Sequence, residues 1–351
     1  MKTAIDLFAG VGGLSLGFEL AGFKVLWANE YNKSIANAYK KNHPDTIVDS
    51  RDIRDIDIVK EFSKYVDQID VVMGGPPCQG FSQKGKRIGL NDERNFMFKK
   101  FVEVVSVVKP KFFVLENVPN ILTAENGYFK EQIIHSFGEL GYYIDVKILK
   151  AEDFGVPQIR RRAVFLGKLG SDLRYRLPNT NHMVTCVEDA ISDLPILKSG
   201  EGLEFVPYTQ QPKSDYQKLM RIKSDGVWNH ISTKHSKIAL DRLKLVTLTS
   251  TKNDLPKDQQ TKSIYSGTWT RMNPKGFSRT ITTRFDTPAS GQFTLPFQDR
   301  CLTVREAARL QSFPDNFIFY GKKMDQMLQV GNAVPPLLAK AIAETILLNE
   351  D

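Results

Sequence analysis

Short apolar runs alternate with amphipathic stretches through the first half of the chain, and this alternation constrains the fold more than any other feature. Residues 3–8, 24–29 and 112–116 have the length and composition of buried strands, whereas 33–41 and 95–108 have a helical period. Strands that alternate with helices predict an α/β fold, a mostly parallel sheet with helices on both faces. Ligands of such sheets bind at the carboxyl ends of the strands.

The pattern changes after Lys168, where Pro, Ser, Thr, Lys and Asn become common and periodic helices become few. We therefore predict two domains: residues 1–180 form the sheet domain, and residues 181–321 form a smaller, irregular one. A helix is predicted late in the second domain, because Thr303 and Glu306 stand at the positions of a capping box.

The composition limits the classes of function. The 351-residue chain has a net charge of +8, and its cysteines (Cys78, Cys186 and Cys301) fit neither a disulfide framework nor a zinc site. No apolar run reaches the roughly eighteen residues of a membrane span, and the N-terminus lacks a signal-peptide pattern. We expect a cytoplasmic protein without a metal. Residues 169–300 hold 19 Lys and Arg against 13 Asp and Glu, which favours either a polyanionic partner or a merely solvated surface.

Residues 6–14 run from a strand through a glycine-rich turn into a helix. Gly10, Gly12 and Gly13 would let a ligand approach the backbone, and the helix N-terminus offers free N–H groups. The turn is not a dinucleotide fingerprint, because Ser15 stands where the third glycine would be, and it is not a phosphate loop. A cofactor site and a tight strand–helix turn explain this motif equally well.

Acidic residues follow the next strands. Glu30 comes after Trp27-Ala28-Asn29, where a carboxylate could accept ribose hydroxyls. Asp52 could accept from an adenine amino group while Ile53 packs on the ring. For either acid alone, a solvated charge at a strand end is the commoner explanation.

Cys78 lies in the loop of residues 74–82, directly after an apolar strand. Pro76 and Pro77 fix φ and so restrict where Cys78 can point. A lone cysteine is usually a small buried hydrophobe. A cysteine on a rigid Gly/Pro loop at a strand end is instead placed as a nucleophile would be.

Two further polar motifs stand at strand ends. Glu116-Asn117-Val118 ends an apolar strand, where an acid could share a proton with a base ring or serve as an ordinary cap. Residues 158–162 begin another strand, whose alternation sends Arg160 and Arg162 to one face. Their guanidinium groups suit phosphate or a base carbonyl, although a surface charge run is the commoner explanation.

Taken in order, these motifs resemble those of the DNA (cytosine-5) methyltransferase family. The set continues with residues 300–306, 310–315 and 329–335, and leaves out only 170 to about 277. Pro-Pro-Cys-Gln-Gly-Phe-Ser, Glu-Asn-Val and Val-Gly-Asn-Ala-Val-Pro in this order are highly specific. The resemblance implies a Rossmann-like S-adenosylmethionine-dependent methyltransferase fold over 1–180, a target-recognition domain over 181–321, and a C-terminal segment, 322–351, that returns to the catalytic domain.

The implied activity is methyl transfer from S-adenosylmethionine to C5 of a cytosine flipped out of duplex DNA. Cys78 would attack C6, since a thiolate is a strong nucleophile that can later leave. Glu116 would bond N3 and the exocyclic amine, and Arg162 would hold O2. Arg160 would lie near phosphate or Cys78 and favour the thiolate, and Asn117 would support the loop that carries Cys78.

The resemblance also implies binding residues for the cofactor and its product, S-adenosylhomocysteine. Phe8 would pack on adenine, Glu30 would bind ribose, and the glycine turn would hold the methionine end. The full implied cofactor set is Asp6, Phe8, Gly10, Gly12, Gly13, Leu14, Glu30, Tyr31, Asp52, Ile53, Pro76, Asn332 and Ala333. The implied DNA contacts are Ser82, Lys84, Lys86, Arg87, Arg94 and Arg284. No metal is required, because the sulfonium carries the methyl group.

The expected partner is double-stranded DNA, with no membrane involved, and one subunit is enough for the chemistry, so we expect a monomer. The compact chain favours a bacterial restriction–modification role, with a cognate restriction endonuclease as functional partner. An RNA cytosine-5 methyltransferase of the same fold is the nearest alternative, but the Cys-Phe-Thr element of the tRNA-modifying branch is missing. A catalytically dead DNA-binding relative would lack Cys78 or Glu-Asn-Val. A dinucleotide-dependent oxidoreductase would not explain Pro-Pro-Cys-Gln.

Overall fold

A computed structural model describes residues 1–77, 95–178, 184–262 and 266–349. Two compact units divide the chain. Unit 1 comprises Met1–Lys150, Arg161–Thr180 and Pro336–Asp351, and unit 2 comprises Ala151–Arg160 and Asn181–Pro335. No helix in the described residues is both long and apolar enough to cross a membrane.

Unit 1 is built on a seven-stranded sheet. In chain order its strands are β1 (Lys2–Leu7), β2 (Phe23–Asn29), β3 (Ile47–Asp49), β4 (Val71–Gly74), β5 (Phe112–Asn117), β6 (Tyr142–Lys150) and β7 (Arg161–Leu169). They lie in the order β3-β2-β1-β4-β5-β7-β6. The first five are parallel, whereas β7 runs antiparallel to both β5 and β6. The predicted mostly parallel sheet is confirmed.

Unit 2 contains the antiparallel pair β8 (Gly202–Pro207) and β9 (Gly226–Ile231). The helices of the described chain fall into both units, with the sixth to tenth in unit 2. In chain order they are α1 (Gly13–Leu20), α2 (Lys33–Asn42), α3 (Ile58–Phe62), α4 (Asn95–Val108), α5 (Tyr128–Gly138), α6 (Val187–Ile191), α7 (Asp215–Met220), α8 (Lys237–Leu245), α9 (Val304–Leu310), α10 (Lys323–Asn332) and α11 (Pro336–Leu348).

Helices cover both faces of the sheet in unit 1. Ile5 and Leu7 of β1 belong to a core that also contains residues of α3, α4 and α5. Strand alternation sends Asp6 to the opposite face, where it contacts Ser15 of α1. α11 packs on α1 so closely that a Cβ on Gly17 would lie 2.3 Å from the Cβ of Ala339. The last helix, α11, therefore belongs to the sheet unit.

Unit 2 has few regular elements, and buried arginines satisfy its irregular backbone. Arg300, Arg305 and Arg309 are fully buried. Arg305 donates to the carbonyls of Trp228, Pro314 and Phe317. A buried carbonyl without a hydrogen bond destabilises the folded protein. Each of these hydrogen bonds therefore stabilises a backbone stretch that has no neighbouring strand to pair with.

The helix α9 begins as the sequence predicts. Thr303 Oγ1 accepts from Glu306 N at 3.2 Å, and the Glu306 carboxylate accepts from Thr303 N at 2.7 Å, which completes the capping box. Burial alone would raise the pKa of Glu306, but the neighbouring Arg300 guanidinium lowers it to about 2. The helix start is thus fixed by a fully ionised, buried acid.

The unit boundaries differ from the predicted domains at residues 151–160 and 322–335, which both belong to unit 2. The reason is contact across long sequence separations. Ile159 N donates to Ser278 O at 2.9 Å, and Gln311 Nε2 donates to Val330 O at 2.8 Å. The local sequence pattern does not predict such contacts. The assignment of a catalytic and a target-recognition role to the two domains stays a prediction.

Candidate active site

The glycine-rich turn after β1 requires its glycines. Gly10 has φ +57° and Gly12 has φ +96°, a left-handed conformation that L side chains rarely adopt. A Cβ on Gly12 would lie 2.3 Å from His43 Nε2 and 2.8 Å from Tyr39 Cε2. In front of Gly10, by contrast, a Cβ would meet no atom of the described chain within 4 Å. Within the described residues, the turn is therefore tightly packed at Gly12 and unobstructed at Gly10.

Asp6 lies beneath this turn and contacts Ser15 of α1; its predicted contact with the cofactor stays a prediction. Its carboxylate is buried and accepts from Ser15 Oγ at 2.6 Å, and the same hydroxyl lies 2.7 Å from Tyr39 Oη. Burial raises the pKa of Asp6 to about 7. Asp6 thus fixes the start of α1 through Ser15. The departure from a dinucleotide fingerprint at Ser15 is the sequence signal for this contact.

Glu30, at the end of β2, is tied to the glycine turn. Its Oε2 accepts from Gly10 N at 3.1 Å and its Oε1 from Asn32 N at 2.8 Å. Burial raises the pKa of Glu30, and its hydrogen bonds to these backbone amides oppose that effect. The following residue, Tyr31, is exposed. The structure therefore brings together the first two predicted cofactor motifs.

The third cofactor motif follows β3. Asn29 Nδ2 donates to Asp49 O at 3.1 Å and to Arg51 O at 2.9 Å, so Asn29 links β2 to this motif. The sequence analysis did not predict this role for Asn29. Asp52 caps a short helical turn and pairs with Arg54, whose hydrogen bonds lower the pKa of the Asp52 carboxyl. Ile53 is buried in the core. Contacts of Asp52 and Ile53 with adenine stay predictions.

The other predicted cofactor residues have varied surroundings. Phe8 has φ +60° and packs against the core of unit 1. Gly13 begins α1, and Leu14 is buried. Asn332 and Ala333 belong to unit 2, at the end of α10, where Asn332 is exposed and Ala333 is buried.

Glu116 and Arg162 form an ion pair at the end of β5. The Arg162 Nε atom lies 2.5 Å from Glu116 Oε1, and both side chains are largely buried. The N–H is not aligned for a hydrogen bond, so Oε1 has no hydrogen-bond partner among the described residues. The other oxygen faces the loop after β4, since a Cβ on Gly75 would lie 3.0 Å from Oε2.

Asn117 holds the start of that loop. Its Nδ2 donates to Pro76 O at 2.9 Å, and both residues are buried. This is the kind of contact expected of a residue that supports the cysteine loop, although its catalytic consequence stays a prediction. Cys78 itself, and the predicted DNA contacts Ser82, Lys84, Lys86, Arg87 and Arg94, lie outside the described residues.

Arg160 is engaged inside unit 2. Its guanidinium donates to the carbonyls of Ile281 at 3.2 Å, Gly331 at 3.1 Å and Ala333 at 2.9 Å, and only 1% of the residue is exposed. These hydrogen bonds give Arg160 a structural role that the sequence analysis did not predict. Its proximity to Cys78 or to phosphate stays a prediction.

The neighbouring Gln158 was not among the predicted site residues. Its Nε2 donates to Leu310 O at 3.1 Å and to Gln311 Oε1 at 2.8 Å, and its Oε1 accepts from Ile281 N at 2.7 Å. The predicted DNA contact Arg284 is exposed and lies 3.6 Å from Asp286. In the described residues, no group of three or more His, Cys, Asp or Glu side chains could hold a metal ion.

The glycine turn, the strand-end acids and the Glu116–Arg162 pair stand together at the carboxyl ends of the unit 1 strands. The model of the family "C-5 cytosine-specific DNA methylase" matches residues 2–348. The chain belongs to this family. Its members use S-adenosylmethionine and act on DNA, so the expected fold class and activity class are confirmed.

Individual relatives agree with this membership. The chain is similar to the type II methyltransferase M1.HphI of Haemophilus parahaemolyticus, with 40% identity over 98% of this chain and 86% of the relative. It is 38% identical to the type II methyltransferase M.DdeI of Desulfomicrobium norvegicum over 97% and 88%. A crystal structure of a prophage-encoded E. coli protein, described as a DNA modification methyltransferase, matches with a TM-score of 0.82 and 30% identity over 99% of both chains.

Proposed function

We propose that this methylase transfers a methyl group to C5 of a flipped-out cytosine in a specific duplex DNA site, with Cys78 as the nucleophile. The observation that carries the proposal is the pair formed by Glu116 and Arg162, at the strand end beside the loop that leads to Cys78. An acid and a guanidinium side by side can satisfy the amine, N3 and O2 along one edge of cytosine.

In the proposed reaction, the Cys78 thiolate adds to C6, and the electron pair of the C5–C6 bond moves to C5. Glu116 hydrogen bonds N3 and the exocyclic amine, and Arg162 holds O2, so both stabilise the charge that develops on the ring. After C5 accepts the methyl group, a base removes the C5 proton. The C5–C6 double bond re-forms and the thiolate leaves.

The donor is S-adenosylmethionine, which supplies an electrophilic methyl group on its sulfonium. The residues of unit 1 fit such a group, because no atom of the described residues would lie within 4 Å of a Cβ on Gly10 and the Glu30 carboxylate accepts from Gly10 N. Glu30 would bind ribose hydroxyls, Phe8 would lie against adenine, and Asp52 and Ile53 would complete the adenine side. The chemistry needs no metal.

The named relatives are type II methyltransferases, which supports a restriction–modification role. Such an enzyme would protect one short sequence from a cognate endonuclease. The predicted monomer fits this role, because one catalytic site modifies one strand at a time.

Methyl transfer from labelled S-adenosylmethionine to duplex DNA and to tRNA tests this function. We expect C5-methylcytosine in DNA alone, with sequencing of the modified strands placing it in one short sequence. Transfer to tRNA without transfer to DNA would replace the proposal with the RNA enzyme of the same fold. Binding of DNA by folded protein without any transfer would leave the binding-only alternative.

A further inference from the structure

We propose that residues 247–260 of unit 2, here called the recognition segment, read the base sequence of the target site, and that Arg271 is the residue that positions this segment. The inference rests on the family's DNA substrate and is independent of the chemistry proposed for Cys78. It assigns specificity within a stretch, 170 to about 277, where no motif gave the sequence analysis a guide.

The recognition segment presents side chains that can bond base edges. Hydroxyl and amide groups both donate and accept, which is the chemistry that distinguishes base pairs in the major groove. The exposed residues of this kind are Thr247, Thr249, Thr251, Asn253 and Gln260.

Charge around the segment suits a nucleic acid. Residues 242–262 contain five Lys and Arg against two Asp. Lys257 and Lys262 are exposed, where they could bond phosphates, while the neutral polar side chains of the segment meet the bases. Phosphate contacts position a protein on DNA, and base contacts specify the sequence.

The recognition segment packs on a small cluster of buried apolar side chains. Leu255, within the segment, is buried against Leu243, Val246 and Trp269. Gln260 Nε2 donates to Leu255 O at 3.1 Å, which fastens the end of the segment to the same anchor. An exposed stretch with a buried anchor can hold its side chains at the fixed distances that hydrogen bonds to bases need.

Arg271 holds the backbone at the N-terminal end of the recognition segment. Its Nε donates to Val246 O at 2.7 Å, directly before the segment, and its Nη2 donates to Leu243 O at 2.9 Å. On the other side, its Nη1 donates to Leu295 O at 3.1 Å and to Gln298 O at 2.9 Å, and it pairs with Asp299. One side chain thus joins the end of α8 to residues 295–299.

The first test replaces two exposed side chains of the segment. The variant Thr249→Ala/Asn253→Ala is compared with wild type by selecting bound duplexes from a random DNA library and sequencing them. We expect discrimination at one or more positions of the site to fall by about 10- to 100-fold, the effect of losing a base contact. A matched variant, Thr209→Ala/Gln211→Ala, removes exposed polar groups elsewhere in unit 2 and should retain the wild-type preference.

The second test addresses Arg271 as a positioning residue. Lysine keeps the charge but cannot reach acceptors on both sides of the guanidinium. Arg271→Lys should therefore relax the same positions of the site, while the affinity for S-adenosylhomocysteine, measured by calorimetry, stays at the wild-type value. A wild-type site preference in the double variant would overturn the proposal, whatever Arg271→Lys shows. Because the selection reads binding, its result does not depend on whether Cys78 performs the chemistry.

Discussion

Arg162 Nε lies 2.5 Å from Glu116 Oε1, although the two residues stand 46 positions apart in the sequence. Glu116 is paired with Val164 across the antiparallel strands β5 and β7, so Arg162 is its diagonal neighbour on the same face. The sheet register therefore holds the acid and the guanidinium together without the substrate. Such preorganisation is what stabilises developing charge most effectively.

Glu116→Gln should abolish most of the activity without weakening cofactor binding. The amide can still accept one hydrogen bond, but it cannot hold or share a proton at N3, and positioned acid–base groups contribute about 10²- to 10⁴-fold to rate. We expect methyl transfer to duplex DNA to slow by a factor in that range, measured under single-turnover conditions.

The matched control for this substitution is Glu131→Gln on α5, whose side chain is exposed. It should transfer methyl groups at the wild-type rate. Equal rates for Glu116→Gln and wild type would contradict the role assigned to the ion pair.

Gly12→Ala should lose cofactor binding. The added Cβ would lie 2.3 Å from His43 Nε2, so the turn must shift, and the left-handed backbone adds about 1 kcal/mol of strain. Gly22→Ala is the control, because Gly22 also has positive φ (+94°) but its Cβ would meet no atom of the described residues within 4 Å. Calorimetric titration with S-adenosylhomocysteine should detect binding by the Gly22 variant alone; retained affinity in the Gly12 variant would count against the cofactor site.

Asp6 should make stability depend on pH. Its pKa is raised by burial from 3.8 to about 7, so between these values the folded protein holds a proton that the unfolded chain releases. The free energy of unfolding therefore falls as pH rises from about 4 to 7, by about 1.4 kcal/mol for each unit of pKa shift. Asp6→Asn removes this dependence.

Chemical denaturation of wild type and Asp6→Asn at several pH values checks this sign. The free energy of unfolding of the Asn variant, relative to that of wild type, should increase as pH rises to 7. Above about pH 8 the difference between the two free energies should be constant. The exposed Asp45, changed to Asn, provides the control and should leave the wild-type pH profile unchanged. A difference between wild type and Asp6→Asn that is flat from pH 4 to 8 would show that Asp6 is ionised in the folded protein.

Arg160→Met should destabilise the protein by roughly 2–5 kcal/mol, because three backbone carbonyls in the interior of unit 2 lose a charged donor. Its neighbour Arg161 is exposed, and Arg161→Met should cost less than about 0.5 kcal/mol. Urea denaturation of the two variants measures both values. Equal stabilities would mean that the Arg160 bonds contribute little.

The mostly parallel sheet could be predicted from sequence because its central strands are apolar runs, although the three-residue β3 was not predicted. β5, for example, is buried throughout and ends in Glu116-Asn117. Side-chain directions at the site were harder to predict. The alternation of β1 turns Asp6 toward Ser15, whose hydroxyl also lies close to Tyr39 of another helix, and no sequence pattern assigned these contacts to Asp6.

The structural role of Arg160 was not predicted because its hydrogen-bond partners are distant in the sequence. Its acceptors lie 121, 171 and 173 residues further along the chain, and no local pattern encodes such a contact. The same long-range contacts carry residues 151–160 into unit 2. The sequence thus predicts the strands of the sheet better than it predicts what the polar side chains at their ends touch.

The most direct test of the central claim is capture of the covalent Cys78–cytosine intermediate. Duplex DNA with 5-fluorocytosine at the methylated position lacks the C5 proton, so the adduct cannot eliminate and should accumulate. With S-adenosylmethionine present, wild type and Cys186→Ser should give a denaturation-resistant protein–DNA complex, and Cys78→Ser should give none. A complex formed equally by Cys78→Ser, or methyl transfer to normal DNA at the wild-type rate by that variant, would contradict the account.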